Sequence, residues 1–495
     1  MVQRHSRRDF LRYTAVGAGV LGASLGTANG AHAADSGGTS VGGEGPGPNP
    51  PGNPWARAEY ISATVRAPHF PNRWFDVTDH GAVAGGVADC SGAFRDAIAA
   101  CHAAGGGHVV VPPGDFLTGP IHLLSNVDLH VSDGARILFS QNAADYLPAV
   151  LTRFEGMELY NYSPLIYAYE QENIAVSGSG VLDGQADNSH WWPWKGKKEY
   201  GWKPGDPEQG PARDRLIAMV EAGVPVDQRQ FGEGDYLRSS FIEPYRCSGV
   251  LIEGVTIVNS PMWEIHPTLS DHVLVRGVTV RSHGPNNDGC DPESSRMVVI
   301  RDCSFDTGDD CIAIKSGRNA DGRRVGVPSQ DILVEGCQMR DGHGGVTVGS
   351  EMSGGVRNVF VRDCEMSSPN LDIALRFKTN SVRGGFITGF HARDITVGQV
   401  AKAVIDINFY YEEGPGYGFN PVVGDINVER LTVQKATQSL NLQGYADDHI
   451  RGVRLREVDF GVTAKVPTVR YVDDLVLDNV TENGRPLTLA PASAA

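Results

Sequence analysis

Positive charge is scarce in this sequence: 43 lysines and arginines stand against 59 acids, for a formal charge of −16. That balance argues against a nucleic-acid binder, and it means that a polyanionic ligand would need local arginine and lysine to hold it. Paired cysteines are missing as well. The eight cysteines include no CxxC pair and no nearby histidine, so neither a zinc site nor a small disulfide scaffold is expected. Long apolar runs are absent too. Beyond the first 33 residues, no segment approaches the ~18 uninterrupted apolar residues that a membrane span needs. No second compositional block marks another large domain.

What the chain has in quantity is turn chemistry and repetition. Its 61 glycines and 29 prolines suit a protein of many short strands. Five stretches are nearly alike: Val250–Val258, Val273–Val280, Val298–Phe305, Ile332–Met339 and Val359–Met366. Their matching apolar positions Ile252, Val275, Ile300, Val334 and Val361 are 23, 25, 34 and 27 residues apart. A period of roughly 20–50 residues marks a solenoid, whose turns bury their apolar faces only by stacking on one another. The units are β-branched and alternating, so the stacked element is a strand and the solenoid a parallel β-helix. Cys303, Cys337 and Cys364 recur at one place in three successive repeats and read as a buried ladder of small groups.

The organisation along the chain follows from this. Residues 1–33 carry Ser6-Arg7-Arg8-Asp9-Phe10-Leu11-Arg12, then an Ala/Gly-rich run and Ala31-His32-Ala33, which resembles a twin-arginine signal peptide with its cleavage site. Its removal takes four arginines and one aspartate, leaving the body more acidic still. Residues 34–72 read as a Gly/Pro-rich disordered linker and lead-in, 73–485 as the β-helix domain, and 486–495 as a tail. Phe75–Val83 is expected to be the first strand. Ser91–Ala104 is expected to be a short amphipathic helix that caps the open end of the solenoid, with Ser91 as N-cap and Gly105–Gly107 as the stop. From Asn188 to Tyr236 the rhythm fails. This stretch holds Trp191, Trp192, Trp194 and Trp202 with Lys195, Lys197, Lys198 and Lys203, and its aromatics suit either stacking on sugars or pinning the loop to the body.

Three carboxylates stand out. Asp288 lies in Asn286-Asn287-Asp288-Gly289, and Asp309–Asp310 follow 21 positions later, one coil on. Adjacent strands lie about 4.8 Å apart, so Asp288 should face the Asp309–Asp310 pair. Neighbouring carboxylates push one pKa up and leave another ionised, which suits one acid and one base acting across a glycosidic bond. An EF-hand calcium loop over Asn286–Met297 fails, because its twelfth position is Met297 where a bidentate glutamate belongs. On later rungs His343 sits among Gly342, Gly344 and Gly345, and Arg376 and Lys378 lie two apart on one strand face. Two adjacent cations repel unless an anion lies between them, which suggests a carboxylate-bearing sugar. Tyr410 and Tyr411 follow one long coil later.

On these residues the chain resembles the polygalacturonases of glycoside hydrolase family 28, right-handed parallel β-helices, from about Phe75 to Val480. The family's motifs Asn-Thr-Asp, Asp-Asp, Gly-His-Gly and Arg-Ile-Lys appear in order as Asn286–Asp288, Asp309–Asp310, Gly342–Gly344 and Arg376–Lys378. Asn287 replaces the threonine and Phe377 the isoleucine. The 33 positions from Asp310 to His343 exceed one coil, so Arg318–Pro328 is expected to be an insertion beside the cleft.

The resemblance implies inverting hydrolysis of α-1,4 galacturonan with Asp309 as general acid, Asp288 and Asp310 handling the water, and His343 tuning the acid. It further implies Arg376 and Lys378 on the uronate carboxylate, with Asn286, Tyr411 and Lys315 as lesser contacts, no metal or cofactor, and a monomer. The expected partner is an acidic poly- or oligosaccharide, not nucleic acid and, after signal removal, not a membrane. Exo action is expected, with the tryptophan loop and the Arg318–Pro328 insertion walling off one end of the groove. The competing readings are a rhamnogalacturonan or substituted-galacturonan hydrolase, a pectate lyase on a similar helix, and a non-catalytic carbohydrate-binding solenoid.

Overall fold

The computed structural model describes residues 53–489. The expected signal over 1–33, most of the linker and the last residues of the tail lie outside the described residues.

Three parallel sheets run the length of a right-handed β-helix. In the first, Phe75, Val109, Leu129, Val176, Ile252, Val275, Ile300, Val334, Val361, Ala392, Val428, Leu455 and Leu477 pair in one unbroken column. The five positions matched by repetition in the sequence are therefore direct neighbours across the ladder. A second column runs through Ile137, Leu182, Ile257, Val280, Phe305, Met339, Met366, Val397 and Val433. A third runs from Ile166 through Ile242, Ile265, Cys290, Ile312, Val346, Leu375 and Ile405 to Leu440. These columns fill the interior as one continuous apolar core. Cys303, Cys337 and Cys364 are buried, as their recurrence suggests.

Helix α2 (Ser91–Ala103) closes the N-terminal end, burying Ala93, Phe94, Ala97, Ile98 and Cys101. Its N-cap is Cys90 rather than Ser91; the capping oxygen is Asp89 Oδ1, which accepts from the Ser91 amide at 2.9 Å. The stop is built as expected. A side chain at Gly106, φ +99°, would put its Cβ 2.4 Å from the Asn126 carbonyl oxygen, so only glycine fits.

The lead-in is not the unstructured segment expected. Helix α1 (Trp55–Thr64) forms from WARAEYISAT and ends at Val65, shortly before Pro68. It docks because the first sheet is apolar on its outer side as well: Ala175, Leu251, Leu274, Val299, Leu333 and Phe360 form an outward ladder. Trp55, Ala58, Ile61, Val65 and Phe70 cover that ladder, and Arg57 pairs with Asp331 at 2.7 Å. A ladder of this kind cannot stay exposed without inviting association.

Two further segments leave the coil. Strands Val150–Phe154 and Met157–Asn161 form an antiparallel hairpin. Helix α3 (Gly210–Glu221), within the Asn188–Tyr236 insertion, packs Ala212, Leu216 and Val220 on Phe154, Met157, Leu159, Met262 and Trp263. Helix α4 (Asn319–Val325) lies inside the second expected insertion.

Trp55→Ala should cost about 3 kcal/mol of stability by loss of packing on Phe360 and Arg393, measured by denaturant unfolding. A change below ~0.5 kcal/mol would mean that α1 is not part of the folded unit.

Candidate active site

The third sheet is the floor of the site. Its column of apolar residues points inward, so the alternating neighbours point out. Thr347, Arg376 and Asp406 stand in one outward row, and Gly349, Lys378 and Asn408 in the next. Just before these strands the chain turns at Asn286–Asp288. Asn287, which departs from the family threonine, is fully buried: its Oδ1 accepts from Ser282 Oγ and the Gly284 amide, both at 2.7 Å, and its Nδ2 donates to the Ser260 and Met262 carbonyls. That side chain ties its own coil to the preceding one beside Asp288. Phe377 points into the core against Phe390.

One carboxylate oxygen from each of Asp288, Asp309 and Asp310 lies within 4.8 Å of the others. Their surroundings differ sharply. Asp310 has no exposed side-chain surface and sits between two cations, with Lys378 Nζ 2.6 Å from Oδ2 and Arg376 3.3 Å from Oδ1, while Thr347 Oγ1 donates to Oδ1 at 2.9 Å. Three donors thus hold it in place. Asp288 has one contact, Lys315 Nζ at 3.3 Å from Oδ2, and its Oδ1 has no partner. Burial, with the charges of Asp309 and Asp310, pushes Asp288 up to about 8 despite Lys315. Burial acts most strongly against the charge on Asp309, but the His343 Nδ1 hydrogen bond at 2.9 Å together with the charges of His343, Lys378 and Lys315 outweighs it and holds that carboxyl well below the usual range. The same bond raises His343, which is half exposed. Glu264 and Asp291, both fully buried, have no partner for either oxygen. Burial and the Asp288 charge push each well above the carboxylate range. The cluster thus holds protons as well as charges.

The structure gathers every expected residue, with two changes of meaning. The anion between Arg376 and Lys378 is Asp310 itself, so that pair does not by itself demand a sugar carboxylate. Lys315 is enclosed beneath the cleft, shared between Asp288 and Glu351 at 3.3 Å each and lying 4.3 Å over the Trp263 ring, so its contacts belong to the protein. Tyr411 lies 5.4 Å from Lys378 and 5.8 Å from Arg376, whereas Tyr410 turns out against Tyr445. Asn286 Oδ1 accepts from Lys195 Nζ at 2.7 Å and Arg238 at 2.9 Å.

Sequence reasoning passed over Glu155, Glu264, Thr347 and Glu351, and met Asp291 only within the rejected calcium loop. Only their rung positions could have signalled them, and insertions blur those. Glu155, at the hairpin tip, pairs with Arg213 of α3 at 2.7 Å and with Arg318 beside α4 at 2.9 Å, so hairpin and insertions join into one wall. Trp192 donates to the Ser260 carbonyl, and Trp191 packs on Tyr146 and Trp194. These tryptophans pin the loop to the body.

A parallel β-helix with clustered carboxylates in a cation-lined groove defines a polysaccharide-cleaving enzyme. Comparison makes the class specific. The family model of Glycosyl hydrolases family 28 matches residues 237–471. The solved exopolygalacturonase of Thermotoga maritima is 47% identical, with a TM-score of 0.84 over 87% of this chain and 96% of that one. A probable polygalacturonase of Vitis vinifera is 26% identical over 83% of this chain and 78% of its own length. An exo-poly-alpha-D-galacturonosidase of Dickeya chrysanthemi is 27% identical, and the match spans 74% of this chain and 62% of that protein. The chain belongs to glycosyl hydrolase family 28, the polygalacturonase family, and is a glycoside hydrolase acting on O-glycosyl bonds. The lyase and inert-binder readings fall away.

Asp288 binds its proton more tightly folded than unfolded. Its contribution therefore favours the folded state below its ordinary value of 3.8 and is lost as pH rises toward about 8. Asp288→Asn should gain stability over wild type across that window by roughly 1 kcal/mol per pH unit, read from denaturant curves. A pH-independent difference would contradict the ionisation described.

Proposed function

We propose that the chain hydrolyses α-1,4 bonds between galacturonic acid units of polygalacturonate or its oligomers, working from one chain end and inverting the anomeric centre. The observation that carries this reading is the carboxylate trio placed beside a closed end of the groove, with cations on both sides. Asp309 is the general acid, oriented by His343. Asp310, held in place by Arg376 and Lys378, holds the attacking water together with Asp288. The Asp309–His343 pair shares a proton in the free enzyme. A sugar lying over the half-exposed imidazole strips water from it, which favours return of the proton to Asp309 and onward to the leaving oxygen. Water attacks the anomeric carbon as the bond to that oxygen breaks, and its proton passes to the Asp288–Asp310 pair. Arg376, Lys378, Tyr411 and Asn286 bind substrate, and Lys315 holds Asp288 in place.

Exo action is supported by the wall of hairpin, α3 and α4, and by likeness to the Thermotoga exopolygalacturonase. Export by the twin-arginine route, to act outside the cytoplasm, is supported by Arg7-Arg8 and Ala31-His32-Ala33.

A second assignment has a specific observation in its favour: Asp288 is enclosed with Oδ1 unpartnered, which pushes it up, whereas Asp309 has the His343 hydrogen bond and is held down. In that version Asp288 protonates the leaving oxygen.

An aryl galacturonide with an activated leaving group separates the two assignments. A variant lacking the acid keeps turnover on it while losing about 100-fold or more on trigalacturonate. We expect Asp309→Asn to show that split; Asp288→Asn showing it instead would reverse the roles. On polygalacturonate, galacturonate should be released with slow viscosity loss, and rhamnogalacturonan should not be cleaved. Rapid viscosity loss would mean endo action. Proton NMR of the first-formed product should show the β-anomer. The trio is tighter than the ~6.5–9.5 Å spacing usual for inverting pairs, so inversion rests on family resemblance and this spectrum tests it.

A further inference from the structure

Two cations at the closed end have no acid of their own. Lys195, from the tryptophan-rich insertion, and Arg238, fully buried, both donate to a single neutral oxygen, Asn286 Oδ1, at 2.7 and 2.9 Å. The other donors of Arg238 go to Gln209 Oε1 and to the carbonyls of Pro261 and Pro285, all uncharged. Among the described residues neither cation has a carboxylate within the 4.0 Å of an ion pair. The acid whose charge acts on both, Glu155, is already shared by Arg213 and Arg318. Burial and the repulsion of Arg238 and Arg213 lower Lys195 despite Glu155, and burial brings Arg238 down to about 10. Buried cations are ordinarily paired, because an unpaired charge away from water is costly. Arg376 and Lys378, on the other side of the trio, are balanced by Asp310, and Lys315 by Asp288 and Glu351.

We propose that Lys195 is a specificity-determining residue: its ammonium takes the carboxylate of the galacturonate unit at the closed end, with Arg238 behind it adding a second positive charge. The proposal deepens the exo reading above and rests on it. The position suits the role. Lys195 Nζ holds Asn286, two residues before Asp288 of the trio, and it is partly exposed where Arg238 is not. Two consecutive uronates straddling the trio would then each meet cations, Arg376 and Lys378 on one side and Lys195 on the other. An entering carboxylate supplies the missing anion. A methyl ester or a neutral hexose cannot, and would leave the cations unbalanced.

The test compares trigalacturonate with the same trimer methyl-esterified only at its non-reducing-end unit. Wild type should prefer the free acid by about 10–100-fold in kcat/KM, the range of one charge-assisted hydrogen bond. Lys195→Met should raise KM for the free acid by about that factor and abolish the preference, and Lys195→Arg should restore most of it. A methionine variant that folds, by its thermal melt, yet keeps the wild-type preference would overturn the proposal. If the variant does not fold, wild type alone decides, since equal use of both trimers overturns it too. Failure of the exo reading would show separately, as internal cleavage of polygalacturonate by wild type.

Discussion

Stacking coils at about 4.8 Å leaves no room for a buried charge to be indifferent to the next rung. Every enclosed carboxylate along the groove must therefore find a cation or keep a proton. Asp310 finds Arg376 and Lys378, Glu351 finds Lys315 and Arg318, and Glu155 finds Arg213 and Arg318. Deeper in the wall, Glu293 lies between Arg153 and His266. What this matching leaves over is informative. Asp288, Asp291 and Glu264 lack sufficient cations and hold protons; Lys195 and Arg238 lack an anion. Asp288 belongs to the trio, and Lys195 and Arg238 hold Asn286 two residues before it.

The solenoid alone does not make the closed end. Its coils supply a straight floor, open along its length, on which a polymer could slide. A wall is added by a hairpin, α3 and α4, which come from different stretches of chain and meet at one carboxylate, Glu155. Their apolar cluster seats them on Met262 and Trp263, and Trp263 in turn carries Lys315. The wall and the Lys315–Asp288 pair thus share a support, so the geometry of the end and the ionisation of the proposed water-holding aspartate are coupled through packing.

The repeat was legible because stacking makes one demand at one position: Ile252, Val275, Ile300, Val334 and Val361 are β-branched since each must fill the same slot. The four short motifs were legible for a related reason, since coil spacing turns distance in sequence into adjacency in space. Helix α1 was missed although its cause was printed beside those positions. Leu251, Leu274, Val299, Leu333 and Phe360 make the strands apolar on both faces, and a strand read as alternating hides the need for a cover.

The amino-acid sequence by itself thus determined the period, the interior columns, the capping helix and the set of ionisable groups brought to one wall. Which of those groups carry charge was decided only by the tertiary structure. Arg376 and Lys378 look unpaired as letters, yet they enclose Asp310, while Lys195, one of four lysines among the tryptophans, proves to have no acid within ion-pair distance. The reason is physical. Ionisation depends on burial and on neighbours within a few ångströms, and insertions of variable length set those neighbours without leaving a period to read.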